Sequence, residues 1–225
     1  MAKVNNDVTP ENCSMDAGGF KWRNLGVIIT SQGYIIHPNI RQRHIPTIEG
    51  RLMLRIHGIV VHQTGGKTVE SAWAAAGSAA GAHFYIDKDG TIYQAASINN
   101  MASHIGKLKP RCLAEHRCTP TEAKELTKLM QKPESAILHH GEMKKPFPDR
   151  YPSNNDSIGI ELVGGYHPVP GARDVVYETV TEKQKVSLKW LIQTICDNGN
   201  VKLTEIYRHP MLSWKNATEA STAEW

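Results

Sequence analysis

Short apolar runs bounded by turn residues recur along the chain and predict buried strands. The segment 57–62, His-Gly-Ile-Val-Val-His, is β-branched at its centre and runs into the turn Gln63–Gly66. The segment 157–163 has the same apolar character and is followed by two glycines. Such runs are typical of buried strands. Between them, Lys88–Gly90 separates two apolar segments, and its Asp-Gly pair predicts a β-hairpin.

Three segments predict helices. Ser71–Ala80 is rich in alanine, the strongest helix former. Thr119–Glu122 combines an N-cap candidate, a proline at the first helical position and a glutamate three residues after the cap, which predicts a helix to about Gln131. Thr181–Gln184 is a capping box, and apolar residues follow at helical spacing over 188–195, which predicts a helix of about four turns.

This order of strands and helices predicts an α/β fold with a central mixed β-sheet flanked by helices. Residues 1–54 are expected to form an N-terminal arm, with a possible hairpin at 25–36. Residues 55–225 are expected to form the main domain. Within it, residues 107–156 are interpreted as an insertion, loop-rich after its predicted helix, in which His139 and His140 are expected to be solvated.

Composition narrows the class of protein. The 225 residues are 40% hydrophobic and 21% charged, which is typical of soluble globular proteins. No run of about 18 apolar residues predicts a membrane span, and the first ten residues lack the apolar core of a signal peptide. Basic residues are dispersed, so no nucleic-acid surface is expected. The net charge of +4 mildly favours an anionic partner.

The four cysteines are too few for a disulfide scaffold. Cys112 and Cys118 could form a local disulfide in an oxidising compartment, and unpaired thiols are an equally good interpretation. No zinc pattern involves cysteine, so any metal site must depend on the eleven histidines.

Four residues are candidates for chemistry. His62 ends a buried strand, where the active sites of α/β proteins usually lie. Glu161 stands in an apolar run, where a carboxylate is either salt-bridged or held desolvated with a raised pKa. His209 and Lys215 lie in the C-terminal segment 207–225, which is predicted to be irregular. Taken singly, each residue is more often structural than catalytic.

The order of these residues along the chain, and the sequence around them, favour a catalytic role over a structural one. The segments 59–66, 82–94, 155–162 and 208–210 resemble the zinc-dependent N-acetylmuramoyl-L-alanine amidases, a family that includes cell-wall recycling amidases, phage lysozyme-type amidases and peptidoglycan recognition proteins. The resemblance covers roughly residues 55–106 and 155–225. Four motifs in the same order are specific, because chance rarely reproduces both spacing and sequence.

The resemblance implies roles for individual residues. His62 and His209 match zinc ligands, Glu161 matches a catalytic acid that orients or deprotonates water, and Lys215 matches the lysine that stabilises the oxyanion. Three further residues are candidates for substrate binding: His104, Thr64 and Asn155.

One position departs from the family pattern. The third zinc ligand is expected two residues after Lys215, where this chain has Ala217, which offers no donor atom. Three hypotheses are open: Ala217 is an engineered inactivating substitution in a natural amidase, Glu219 is a replacement ligand, or the chain is a natural non-catalytic peptidoglycan binder. The first hypothesis is favoured, because a pure binder needs neither Glu161 nor Lys215.

The sequence therefore predicts a zinc-dependent peptidoglycan amidase, inactive or weakened by Ala217, with a non-catalytic peptidoglycan-binding module as the alternative. A general zinc metallopeptidase is disfavoured, because the chain lacks His-Glu-x-x-His. The expected substrate is peptidoglycan or a muropeptide. The chain is expected to be made in the cytoplasm and to act on periplasmic wall as an antibacterial effector or phage lysin. An effector would also require an immunity protein. No membrane insertion is expected.

Overall fold

The structure, a computed structural model, describes residues 26–76, 80–132, 135–171 and 174–225. Within these ranges the chain forms eleven strands and six α-helices. The strands are β1 (Ile28–Ile29), β2 (Ile35–Ile36), β3 (Ile40–Gln42), β4 (Glu49–Leu52), β5 (Gly58–Gly65), β6 (Phe84–Ile86), β7 (Ile92–Gln94), β8 (Asn100–Ala102), β9 (Ser157–Pro168), β10 (Val175–Tyr177) and β11 (Ile206–Arg208). The helices are α1 (Val69–Ala76), α2 (Arg111–Ala114), α3 (Pro120–Met130), α4 (Ala136–Met143), α5 (Glu182–Gly199) and α6 (His209–Leu212).

The main sheet is mixed, as the sequence predicts. Its strands lie in the order β11-β5-β9-β6-β7-β3, and β10 pairs with β9 off this path. The neighbours β11, β5, β9 and β6 are parallel, β7 is antiparallel to β6, and β3 is parallel to β7. Because the central strands are parallel, their carboxyl ends meet at one edge of the sheet, where α/β proteins usually place their sites.

The two faces of the central strands differ in chemistry. The face that packs with α5 is apolar and fully buried: Ile59, Val61, Ile158, Ile160 and Leu162. Burial of each such side chain contributes about 1.5–3 kcal/mol. Successive residues of a strand point to opposite faces, so His62 and Glu161 lie on the other face. One side of the sheet therefore supplies stability, and the opposite side carries the candidate chemistry.

Local sequence patterns predicted several elements correctly. The capping box at Thr181 starts α5, and the side chain of Thr119 caps α3 by accepting from the Glu122 N–H. The Asp-Gly pair forms the β6–β7 hairpin, with Gly90 at a φ of +86°. The alanine-rich helix occurs as α1, and the part of its prediction over 77–79 lies outside the described residues.

The boundary of the predicted arm requires correction. β3 pairs with β7 in the main sheet, and β4 pairs with β8. β4 and β8 form a separate two-stranded sheet. Through these two pairings, residues 40–52 belong to the same domain as the main sheet. The hairpin expected at 25–36 occurs as β1–β2. Residues 1–25 of the predicted arm lie outside the described part of the chain.

The insertion is more ordered than the sequence predicts. It contains α4, which begins after Ser135, whose side chain accepts a hydrogen bond from the Leu138 N–H. His139 lies within this helix, and its Nδ1 accepts from the Leu108 N–H at 3.1 Å, so it is not a solvated loop residue. The prolines that follow α4 obscured this short helix in the sequence.

A disulfide and a buried ion pair stabilise the insertion. Cys112 and Cys118 are bonded, which decides between the two interpretations left open by the sequence. The Arg111 guanidinium donates to both carboxylate oxygens of Glu205, at 3.0 and 2.9 Å. Glu205 directly precedes β11, so the insertion is joined to the strand that leads to His209. In the described ranges, no helix is both long and apolar enough to cross a membrane.

Candidate metal centre

Three buried side chains converge at the carboxyl end of the parallel strands. His62 lies in β5, His209 directly follows β11, and Glu219 lies in the C-terminal tail. The Nδ1 atoms of the two histidines are 2.8 Å apart. Glu219 Oε1 lies 3.0 Å from Nδ1 of His209 and 3.6 Å from Nδ1 of His62. The structure therefore unites the two histidines expected to bind metal and adds a carboxylate.

A turn in the C-terminal tail determines which residue supplies this carboxylate. The Thr218 N–H donates to Oδ1 of Asn216 at 2.8 Å, and the Glu219 N–H donates to the Asn216 carbonyl at 3.1 Å. Glu219 is buried at the site, whereas Ala217 is exposed. The structure therefore brings Glu219, and not position 217, to the two histidines, because the backbone turns before the tail enters the site.

Electrostatics keep His62 and Glu219 ready to donate lone pairs. Burial lowers the pKa of His62 to about 4, and the charge of His209 acts in the same direction. Burial alone would raise the pKa of Glu219, but the hydrogen bond with His209 and the proximity of His62 outweigh it and lower this pKa to about 2. At neutral pH, Glu219 is therefore a carboxylate and His62 is neutral.

The donor set fits zinc. Catalytic zinc sites commonly use two histidines and a carboxylate, with metal–donor bonds of about 2.0–2.2 Å in tetrahedral geometry. That geometry separates donor atoms by roughly 3.3–3.6 Å. Of the three distances between donor atoms, 3.6 Å lies at the upper end of this range, and 2.8 and 3.0 Å lie within about 0.5 Å below it. His62, His209 and Glu219 are thus suited to hold one zinc ion.

A chain of hydrogen bonds sets the tautomer of His62. It starts at the Ser153 carbonyl, which can only accept, so the Ser157 hydroxyl donates to it at 2.6 Å. Ser157 Oγ must then accept from His104 Nε2–H, at 3.2 Å. Burial lowers the pKa of His104 well below its usual range, so this ring is neutral and its Nδ1 accepts from His62 Nε2–H at 2.9 Å. The free lone pair of His62 therefore lies on Nδ1, the atom that faces the other two donors.

This chain, hereafter the tautomer relay (Ser153, Ser157, His104 and His62), changes the role expected for His104. His104 does line the pocket, but hydrogen bonds to the protein engage both of its ring nitrogens. Gly159 makes room for the ring, because a Cβ at this position would lie 2.7 Å from His104 Cγ. His104 therefore orients His62 and has no free nitrogen for hydrogen bonding to substrate.

Glu161 lies beside His62 on the neighbouring strand. The Cα atoms of His62, Glu161 and Tyr85 are partners across β5, β9 and β6, so the three side chains share one face. Glu161 Oε2 is buried and has no hydrogen-bond partner in the described part of the chain. Burial raises the pKa of Glu161 to about 8, the charge of Glu219 adds to this, and Lys215 opposes it. A carboxyl group with a pKa near neutrality is suited to taking up and releasing a proton.

These groups line one pocket of about 310 Å³. Thr64 and Lys215, two of the candidates from the sequence, lie in its wall. Asn155 does not, because it precedes β9 and so lies at the amino end of the strands, where it lines a second pocket of about 340 Å³. Asn155 therefore lies away from the candidate metal centre, and its role in substrate binding stays a prediction.

Sequence reasoning missed two supporting residues beside Asn155. Asn154 Oδ1 accepts from the N–H groups of His104 and Ile105, at 3.0 and 2.8 Å, and holds the loop that carries His104. Ser157 belongs to the tautomer relay. Both lie in the polar stretch 153–157 that leads into β9, and this stretch was the available signal. The partners are about 50 residues away along the chain, which no local pattern reveals.

A pocket with two histidines, a carboxylate and a separate proton-accepting carboxyl group is typical of metal-dependent hydrolases. Comparison with protein families narrows this class. Residues 52–222 match the model of the N-acetylmuramoyl-L-alanine amidase family, and the chain belongs to that family. The match confirms the resemblance seen in the four sequence motifs. No curated protein matches the chain significantly.

Solved structures of amidases also resemble the chain. An N-acetylmuramoyl-L-alanine amidase from Clostridium intestinale is 21% identical, with 78% of this chain and 86% of that one aligned and a TM-score of 0.43. The amidase AmiD from E. coli, solved with the substrate anhydro-N-acetylmuramic acid-L-Ala-D-γ-Glu-L-Lys, is 18% identical, with coverage of 83% and 58% and a TM-score of 0.47.

Proposed function

We propose that this chain is an active zinc-dependent amidase that hydrolyses the bond between N-acetylmuramic acid and L-alanine in peptidoglycan. The supporting observation is the convergence of His62, His209 and Glu219 beside the buried carboxyl group of Glu161. The hypothesis of an inactive chain depended on Ala217 as the third ligand position. The binding-only alternative gives Glu161 no role, because binding does not require a proton carrier.

The chain's own residues account for the proton and charge transfers of hydrolysis. Bound zinc would supply Lewis acidity, which makes the scissile carbonyl more electrophilic and water more acidic. In its ionised form, Glu161 takes the proton released by the attacking water through Oε2 and delivers it to the nitrogen of the departing L-alanine. The ammonium group of Lys215, in the same pocket, stabilises the negative charge that develops on the carbonyl oxygen.

The test compares the parent chain with Glu219→Ala for zinc content and for release of stem peptide from purified peptidoglycan. Two histidines alone hold zinc far more weakly than three ligands. We therefore expect Glu219→Ala to lose its zinc and at least about 100-fold in hydrolysis, since even outer partners of metal ligands contribute 10–100-fold.

Ala217→Asp is the matched control, because it places a carboxylate at the exposed neighbouring position. It should leave zinc content and hydrolysis unchanged. Activity that survives Glu219→Ala and rises in Ala217→Asp would place the ligand at 217 and refute the proposal. A parent chain that binds one zinc ion and peptidoglycan without releasing stem peptide would establish the binding-only alternative.

We further propose that the enzyme acts on intact cell wall outside the cytoplasm, as an effector or lysin would. The Cys112–Cys118 disulfide supports this location, because such bonds persist in oxidising compartments and are rare in reducing ones. Mass spectrometry of the alkylated chain, recovered from the periplasm, should find these two cysteines linked. Free thiols at both positions would contradict the proposal. An immunity partner stays a prediction.

A further inference from the structure

The amino end of the parallel strands, opposite the candidate metal centre, carries an exposed surface that is both basic and apolar. We call it the rear surface and define it by six residues: Arg51, Leu52, Leu54, Arg55, Lys202 and Leu203. The first four line the second pocket. Leu54 precedes β5 and Leu203 precedes β11, and these parallel strands pair Ile59 with Ile206. The two segments therefore enter the sheet at the same end.

The rear surface has an excess of positive charge. Asp156, the acidic residue in the second pocket, is already paired, with Arg150 Nη2 at 2.8 Å and His57 Nδ1 at 3.0 Å. Arg51 and Arg55 are exposed, and neither forms an ion pair with an acidic residue of the described ranges. Two guanidinium groups are thus free to bind an anion beside the second pocket.

The same surface exposes large apolar side chains. Leu54 is 98% exposed, Leu52 is 71% exposed and Leu203 is 61% exposed. Single exposed leucines are ordinary on protein surfaces, but a group of them marks an interaction site. Here they are interleaved with cations, since Leu52 and Leu54 lie between the two arginines and Leu203 follows Lys202. The partner must therefore offer both negative charge and an apolar phase.

We propose that the rear surface docks reversibly on an anionic phospholipid bilayer. Its cations would bind lipid phosphates, while its leucines enter the boundary between headgroups and acyl chains. The orientation fits the proposed function. β5 runs from Gly58 at the rear to His62, a rise of roughly 13 Å at about 3.3 Å per residue. A chain docked in this way directs its catalytic pocket away from the bilayer and towards the wall.

The experiment measures sedimentation of the full chain with vesicles of phosphatidylglycerol and phosphatidylethanolamine, and with vesicles of phosphatidylcholine. The parent chain should bind the anionic vesicles and not the neutral ones. Each cation near an anionic membrane contributes about fivefold in binding. The double variant Arg51→Gln, Arg55→Gln should therefore bind about 25-fold more weakly. Leu54→Ala should bind several-fold more weakly, because it removes apolar area from the contact.

Matched controls distinguish the effect of the rear surface on vesicle binding from the effects of total charge and of exposed apolar area elsewhere on the chain. Lys124→Gln with Lys128→Gln removes the same charge from exposed positions of α3, and Ile137→Ala shortens an apolar side chain that is 73% exposed on α4. Both controls should bind vesicles like the parent chain. All variants should hydrolyse a soluble muropeptide normally, which verifies their folding.

Three results would overturn the proposal. The parent chain could fail to bind anionic vesicles, or the control variants could lose as much vesicle binding as the rear-surface variants. The third result is that the parent chain binds soluble polyglutamate as tightly as it binds anionic vesicles. The last result would indicate an acidic protein partner instead of a membrane. The vesicle measurement does not depend on catalysis. A chain that binds vesicles but hydrolyses nothing would refute the amidase proposal and leave the docking surface intact.

Discussion

Replacing Ser157 with alanine tests the tautomer relay. The hydroxyl receives His104 Nε2–H at 3.2 Å and donates to the Ser153 carbonyl at 2.6 Å. Without it, a buried N–H of His104 loses its partner, which costs about 1–3 kcal/mol unless the ring turns over or changes tautomer. Either rearrangement removes the acceptor for His62 Nε2–H. Outer partners of ligating histidines contribute about 10–100-fold in metal affinity, so the Kd for zinc should rise at least about 10-fold.

The assay is a competitive chelator titration of zinc, run beside urea unfolding of the metal-free chain. Ser187→Ala is the matched control, because Ser187 is also buried and its hydroxyl also donates to a backbone carbonyl, that of Gly90, at 2.6 Å. This control should lower the free energy of unfolding and leave the Kd for zinc unchanged. His104→Phe, which removes the acceptor directly, should weaken zinc binding at least as much as Ser157→Ala.

Two results would refute the reasoning. The first is unchanged zinc affinity in both Ser157→Ala and His104→Phe, which would mean that His62 needs no partner to present Nδ1. The second is an equal loss of zinc affinity in Ser187→Ala, which would mean that the relay acts only through general stability.

Four further predictions concern other residues of the site and the insertion. Glu161→Gln should bind zinc normally but lose about 10²–10⁴-fold in the rate of stem-peptide release, and normal turnover would exclude Glu161 as the proton carrier. Burial raises the pKa of Glu161 from 4.5 to about 8, so between these values the folded metal-free chain holds a proton that the unfolded chain has released. The free energy of unfolding in urea should therefore fall as the pH rises through this range, by at most about 1.4 kcal/mol per pH unit, and Glu161→Gln should remove this slope. Gly159→Ala should displace the His104 ring and weaken zinc binding in the chelator titration, and an unchanged Kd would show that the ring moves freely. Replacing Cys112 and Cys118 with serine opens a loop with a sequence separation of 6 and should lower the free energy of unfolding by about 2 kcal/mol, with reductant producing the same loss in the parent chain.

The parts of the fold that sequence predicted correctly depend on local patterns. The capping box at Thr181 and the Asp-Gly pair before Thr91 specify their elements within a few residues. β3 and β4 have three and four residues, too short for a hydrophobic period to be visible. Their positions are set by pairing with β7 and β8, about 50 residues away, and only the folded chain brings these partners together.

The same distinction applies to the site. His62 and His209 could be found because each lies in a motif next to a strand. The sequence predicts the third ligand at position 217 and offers Glu219 only as a replacement, because the count from Lys215 assumes the spacing of the family. The turn at Asn216 breaks that assumption. The tautomer relay could not be found at all, since Ser157 and His104 are 53 residues apart in sequence.

The in-register pairing of His62 with Glu161 determines which deletions and insertions in the chain the site tolerates. The two residues are partners across β5 and β9, where neighbouring strands lie about 4.8 Å apart. The spacing between His62 and Glu161 is thus set by the pairing of two strands and not by a loop. A single-residue deletion within β9 ahead of Glu161 would turn its carboxyl group towards α5 and leave an apolar side chain facing His62. Loops around this pocket can vary in length and sequence without disturbing the pair, whereas the strand register cannot shift even by one residue.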